Sequence, residues 1–259
     1  MEKSAIHDLP EKLREPIRKA DSIIMSYLAG LQFLISDAAR DPEFRNNHLL
    51  TYLSQDLLQS AVSVLFLATE GLLNVAKREL RFVLETSVKI CKVQQQNYRL
   101  PIAEKIETFE KQLKSTNISV NRDIKFEMMR EQVVADFCKE VGRLYGAVSE
   151  YIHLTPKQIL ERIDAYENGR TSGHESPEDI EQLNKFAARA FACSLVLLFH
   201  SVSPSIAGDW LVEMDGSSTN WFFAKSRFIA EIDSYFDYKA ERKYRLEEIQ
   251  SLRRQRLEF

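Results

Sequence analysis

Glycine and proline are scarce in this chain, eight and seven among 259 residues. Long stretches therefore run without a breaker, as a helical protein requires. Cysteine is scarcer still: Cys91, Cys138 and Cys193 lie far apart inside apolar helical patterns. An odd number with no close pairing and no C-x-x-C argues against a disulfide framework and for a reducing cytoplasm. Neither sign of charge dominates, and the formal net charge of −3 does not favour a protein coated in nucleic acid, although it leaves room for local basic patches. The opening "MEKSAIHDLPEKLREPIRK" has no apolar signal segment. The most apolar run, "FAARAFACSLVLLFHSVS" at 186–203, contains Arg189 and His200 and ends at Pro204. It is too short and too polar to span a bilayer comfortably. The reading is a soluble cytoplasmic protein without membrane contact.

Chemical motifs are missing as well. The histidines and cysteines show no zinc-type spacing, and there is no H-E-x-x-H, G-x-x-x-x-G-K, G-x-G-x-x-G or G-x-S-x-G. This removes the common nucleotide-dependent enzymes and the usual serine hydrolases, and no cofactor is expected.

Helix signals, by contrast, recur. Asp41-Pro42-Glu43 reads as an N-cap with proline at the first helical position, and Leu100-Pro101 opens another helix. Thr155-Pro156-Lys157-Gln158 is a capping box, and Ser176-Pro177-Glu178-Asp179 is a similar start. Between these signals apolar residues repeat at helical spacing, with no convincing alternating strand. The expectation is an all-α fold, a single helical bundle over 1–259. Helices are expected near 10–39, 43–68, 71–97, 101–114, 121–153 (with a break), 156–167 and 178–203. The helix near 43–68 is apolar on nearly every face and so central, paired with the one after it. The Gly/Ser-rich segment 167–179 reads as a mobile loop, and a last long helix runs from about 220, protruding from about 239.

Two stretches might carry chemistry. On the helix near 71–97, Leu72, Ala76, Leu80, Val83, Ser87 and Ile90 share one face, while Asn74, Arg78, Arg81, Glu85, Lys89 and Lys92 share the other. Such a polar stripe is either solvated or a groove in which Arg78 and Arg81 meet phosphate, Glu85 holding Arg81 across one turn. In "YGAVSEYIHLTPKQ" (145–158), Glu150 and His153 are neighbours at a helix end, with Arg143 on the same side, and Gly146 allows close approach of a backbone or ligand. A carboxylate and a helix C-terminus both raise an imidazole pKa, and the following capping box opens a helix whose first amides attract anions. The plainer alternative is that His153 caps the ending helix. His200, inside an apolar helix, reads as a satisfied core residue. The basic C-terminal stretch, with Arg253 and Arg254, is either a solvated extension or a contact for phosphates or a partner helix.

The segment "SAVSVLFLATEGLLNVAKRELRFVLETSVKI", an apolar helix, a small-residue turn and an A-x-x-E/R…E helix, resembles the heart of HEPN proteins (higher eukaryotes and prokaryotes nucleotide-binding domain). Arg81 and Glu85, taken with Tyr145, Ser149, Glu150 and His153, also look like an uncharacterised bacterial all-helical family. The resemblance covers about residues 46–155. It implies a metal-independent ribonuclease of a bacterial toxin–antitoxin or antiphage defence system. His153 would then move the proton, Glu150 would orient it, and Arg78, Arg81 or Arg143 would stabilise phosphorane charge. Lys89, Lys92, Arg253 and Arg254 would contact RNA. The usual R-x(4–6)-H spacing of that family is absent. The alternative is a non-catalytic interaction or regulatory subunit of a defence or stress complex, assembling as a homo-oligomer or with a protein partner through the C-terminal helix.

Overall fold

The computed structural model describes residues 9–40, 42–96, 98–113, 120–151, 155–170 and 175–259. Among these the chain is helical, with one isolated antiparallel bridge between Val212 and Ser218. Four long helices, α1 (Glu11–Ala38), α3 (Leu49–Thr69), α4 (Leu73–Gln96) and α9 (Pro177–Phe199), form the body. α3 packs on α4, α4 on α9, α9 on α1 and α1 on α3, which closes a four-helix bundle. A short helix, α2 (Pro42–Asn47), precedes α3, and α5 (Ile102–Leu113) and α6 (Val120–Asp123) follow α4. α7 (Glu131–Ser149) lies against α4 and α9, and α8 (Pro156–Glu167) follows it. α10 (Pro204–Leu211), α11 (Arg227–Tyr235) and α12 (Leu246–Gln255) complete the chain.

The boundaries follow local chemistry. The turn from α3 to α4 is a Schellman motif: Leu72 N–H reaches Leu67 O at 2.7 Å, Gly71 N–H reaches Ala68 O, and Gly71 takes φ 68°. Both expected capping boxes form, on Thr155/Gln158 and on Ser176/Asp179, each with proline in the first turn. The helix expected near 43–68 is interrupted at His48. This histidine is the N-cap of α3 and accepts the Leu50 N–H at Nδ1, 3.0 Å away.

The expectation that this helix is buried all round does not hold. α3 exposes Tyr52 and Phe66, whereas α9 is buried on every side from Ala190 to Phe199. The centre is not purely apolar. Tyr27 Oη of α1, Ser194 Oγ of α9 and Ser87 Oγ of α4 form a buried chain with links of 3.0 and 2.7 Å, and Ser87 donates on to Val83 O. Such a chain ties three helices to one register, because a slip of any of them strands a buried hydroxyl.

The C-terminal region departs most from expectation. No long helix runs from 220, and nothing protrudes from 239. The chain breaks into short turns at Phe222–Lys225, Phe236–Tyr238 and Ala240–Arg242, and α12 folds back on α11. Arg242 is fully buried, donating to Asp233 Oδ1 (2.6 Å), Asp237 Oδ1 (3.0 Å) and the Gly216 carbonyl (3.0 Å). Arg253 completes the cluster on Asp233 (2.6 Å) and Asp237 (2.7 Å). In a continuous helix, Asp233 and Arg242 would stand about 13 Å apart along the axis. The break brings them together, so neutralising these charges and burying Ile249 favour the folded-back form over an extended rod.

Candidate functional site

The end of α7 meets the outer flank of α4. Arg81 Nη2 donates to Tyr145 Oη at 2.8 Å, and its guanidinium lies 4.8 Å from the Tyr145 ring centroid. Arg81 Nε is 3.6 Å from Glu85 Oε2, an i,i+4 pair. Arg78 Nε donates to the Tyr151 carbonyl at 2.7 Å. That carbonyl belongs to the last turn after α7, where partial negative charge gathers, so a guanidinium there is favoured. Lys77 Nζ sits 4.0 Å above the Tyr151 ring. Ser149 Oγ turns back to the Tyr145 carbonyl (2.6 Å), and Glu150 is half-buried and already partnered. His153 lies outside the described residues, as does His174.

The remaining candidates go elsewhere. Arg143 is engaged by Glu140 (2.8 Å), whose carboxylate also takes Arg189 of α9, so it faces away from Arg78 and Arg81. Lys89 is buried against Glu85 and Lys92 pairs with Asp123, each at 2.5 Å. Of the expected RNA contacts, Arg253 is held inside the Asp233–Asp237 cluster and Arg254 remains exposed. Gly146 meets no atom that a side chain there would touch, so no close approach explains it. The guanidinium of Arg81 is itself largely covered, its side chain 18% exposed.

Beside this joint lies an open polar cleft between the start of α4 and the inner face of α8. Lys77, Tyr151, Arg162, Arg170, Glu175 and Asp179 are among its walls. Arg170 is paired with Asp164 and lies 3.8 Å from Asp179, so cations and carboxylates here are interleaved.

Several polar groups were not legible in the sequence. His48 bridges helices, its Nε2–H donating to Ser201 O at 2.9 Å, and burial drives its pKa down to about 3. His200 donates from Nδ1 to Val196 O at 2.7 Å, and burial lowers it to about 4. Its other nitrogen, Nε2, has no hydrogen-bond partner among the described residues, so the expectation of a satisfied core histidine holds for one nitrogen only. Both imidazoles are neutral at pH 7 and carry no charge to offer a phosphate. Lys105 is buried and donates to the Asn47 and Tyr98 carbonyls (2.6 and 2.8 Å), with its pKa lowered by burial to about 8. All three cysteines are buried and free, and burial holds the Cys91, Cys138 and Cys193 thiols protonated by raising their pKa values.

Among the described residues no group of three or more His, Cys, Asp or Glu is placed to hold a metal ion, and no helix is long and apolar enough to cross a membrane. Comparison with protein-family models, curated proteins and solved structures returned no match. The likeness to HEPN proteins therefore rests on the residues quoted for it.

Proposed function

We propose that this chain is a non-catalytic interaction or regulatory subunit that self-associates through α8, within the bacterial defence or stress setting that its resemblance implies. One observation carries the reading. α8 is amphipathic in the reverse of the usual sense: Glu161, Arg162 and Asp164 line the cleft towards the body, while Ile159, Leu160, Ile163 and Tyr166 turn outward. Leu160 is 66% and Tyr166 78% exposed. A lone helix of this length is marginal in water, and a contiguous apolar stripe on its outer face marks a docking surface.

The occupant is a second copy of this chain. The same protomer exposes Phe66 near the end of α3 and Val75 and Phe82 on α4, the last two sharing a face seven residues apart. A two-fold pair lets each α8 cover the other copy's patch, a closed arrangement that leaves neither surface in water. The internal engagement of Arg78, Arg81, Arg143 and Arg253 supports a scaffold over a catalyst. Sedimentation analysis tests this. The parent chain should dimerise at micromolar concentration, and Leu160→Glu or Phe82→Glu should each yield a folded monomer. A parent chain that stays monomeric at high concentration would sink the proposal.

A metal-independent ribonuclease is the second reading. Its support is the convergence of Arg78 and Arg81 on the last turn of α7, next to Glu150. RNA cleavage in EDTA that disappears in His153→Ala would favour it; equal activity of the two proteins would discard the site.

A further inference from the structure

Ser226 stands at the N-cap of α11, where a serine hydroxyl ordinarily accepts an N–H from the first turn. Here it caps nothing. The residue is 1% exposed and its Oγ has no hydrogen-bond partner among the described residues. The Arg227 N–H is taken by the main-chain oxygen of Phe259 at 2.7 Å, but the N–H groups of Phe228 and Ile229 bond no protein acceptor among the described residues. The helix thus begins with uncapped amides and an idle buried hydroxyl, a combination that costs stability unless something occupies it.

Ser226, Arg227 and Phe228 border a cavity of about 640 Å³, including its open mouth, which Glu140, Arg189, Cys193 and Phe259 also line. Its charge balance is positive. The Glu140 carboxylate is shared between Arg143 and Arg189, whereas Arg227, exposed and stacked 4.5 Å from the Phe228 ring centroid, forms no ion pair among the described residues. Two guanidinium groups, Arg189 and Arg227, therefore share the wall with one side-chain carboxylate, Glu140, and the Phe259 oxygen already holds the first amide of the helix.

We propose that this cavity binds a small tetrahedral oxyanion, a free phosphate or the phosphoryl group of a small metabolite, at the N-terminus of α11. The Ser226 hydroxyl donates to one oxygen, the Phe228 amide faces another, and Arg227 closes over the charge from the solvent side. Helix amides and dipole suit an anion, and the guanidinium fork suits phosphate oxygens. This site shares no residue with α8 or its proposed dimer contact.

The test is calorimetric titration of the full chain with inorganic phosphate, sodium chloride held at matched ionic strength, and then with acetate. Saturable phosphate binding is expected, weakened about tenfold or more in Ser226→Ala and in Arg227→Gln, because a hydrogen bond to a charged ligand is lost in each. Ser226→Ala removes a hydroxyl that bonds nothing, so this variant keeps its fold and secures the comparison should Arg227→Gln unfold. Absence of saturable phosphate binding, equal binding by both variants, or acetate binding as tight as phosphate would each overturn the proposal.

Discussion

Mild acid should unfold this protein through two histidines, His48 and His200. Each is buried and held neutral, with folded pKa values of about 3 and about 4 against an ordinary 6.5. The folded values lie below the unfolded one, so between pH 6.5 and about 4 the unfolded chain binds more protons than the folded one. Stability is thus fully present above pH 6.5 and is lost as pH falls. At pH 5 an unfolded imidazole of ordinary pKa gains about 2 kcal/mol from protonation, while the folded one gains almost nothing. Two such groups remove about 4 kcal/mol between pH 7 and pH 5, a large share of a typical folding free energy. The carboxylates with lowered values, Glu231 and Asp237 among them, add their losses further down, as the pH nears and passes the ordinary carboxylate range. The pH 7 to 5 window therefore isolates the imidazoles. Urea unfolding at both pH values is the assay, with His48→Asn/His200→Asn as the comparison, since asparagine can still cap α3. The double variant should lose most of the pH dependence. An unchanged slope would refute the assignment of the acid sensitivity to these two residues.

Arg242→Ala leaves the buried Asp233 and the half-buried Asp237 with one guanidinium fewer, and should cost about 3–5 kcal/mol by chemical denaturation; a cost near zero would mean the cluster is hydrated. Deleting the chain from residue 239 removes Arg242 and Arg253 together, so circular dichroism should show loss of cooperative melting rather than a shortened but stable bundle. Gly71→Ala forces a Cβ at φ 68° against the Glu175 carboxylate and should destabilise by at least about 1 kcal/mol in urea. Unaltered stability would show that the α3–α4 turn relaxes freely.

Local chemistry made most helix boundaries legible. Thr155, Ser176 and Gly71 act through bonds a few residues away, so reading them needs no knowledge of the rest of the chain. The buried stripe of α4 followed for the same reason: of the face that periodicity places inward, Ala76, Leu80, Val83, Ser87 and Ile90 are buried, while Leu72, which precedes the helix, is exposed. Lys89 shows where this stops. It belongs to the polar face by angle, yet it is buried because Glu85 neutralises it beneath neighbouring elements. Ser226 could have been found, since a serine just before an amphipathic run is an N-cap signal. That its hydroxyl would stay idle could not.

What the sequence determined by itself was the helical class and the punctuation of its helices, since capping, turn geometry and apolar spacing are short-range effects. The tertiary structure alone decided which charges meet. It paired Arg242 and Arg253 with Asp233 and Asp237 and so folded back a segment that reads as a rod. It also turned the apolar side of α8 away from the body. Those outcomes depend on side chains far apart in sequence competing for the same counter-charge or the same shelter from water, and no pattern along the chain records that competition.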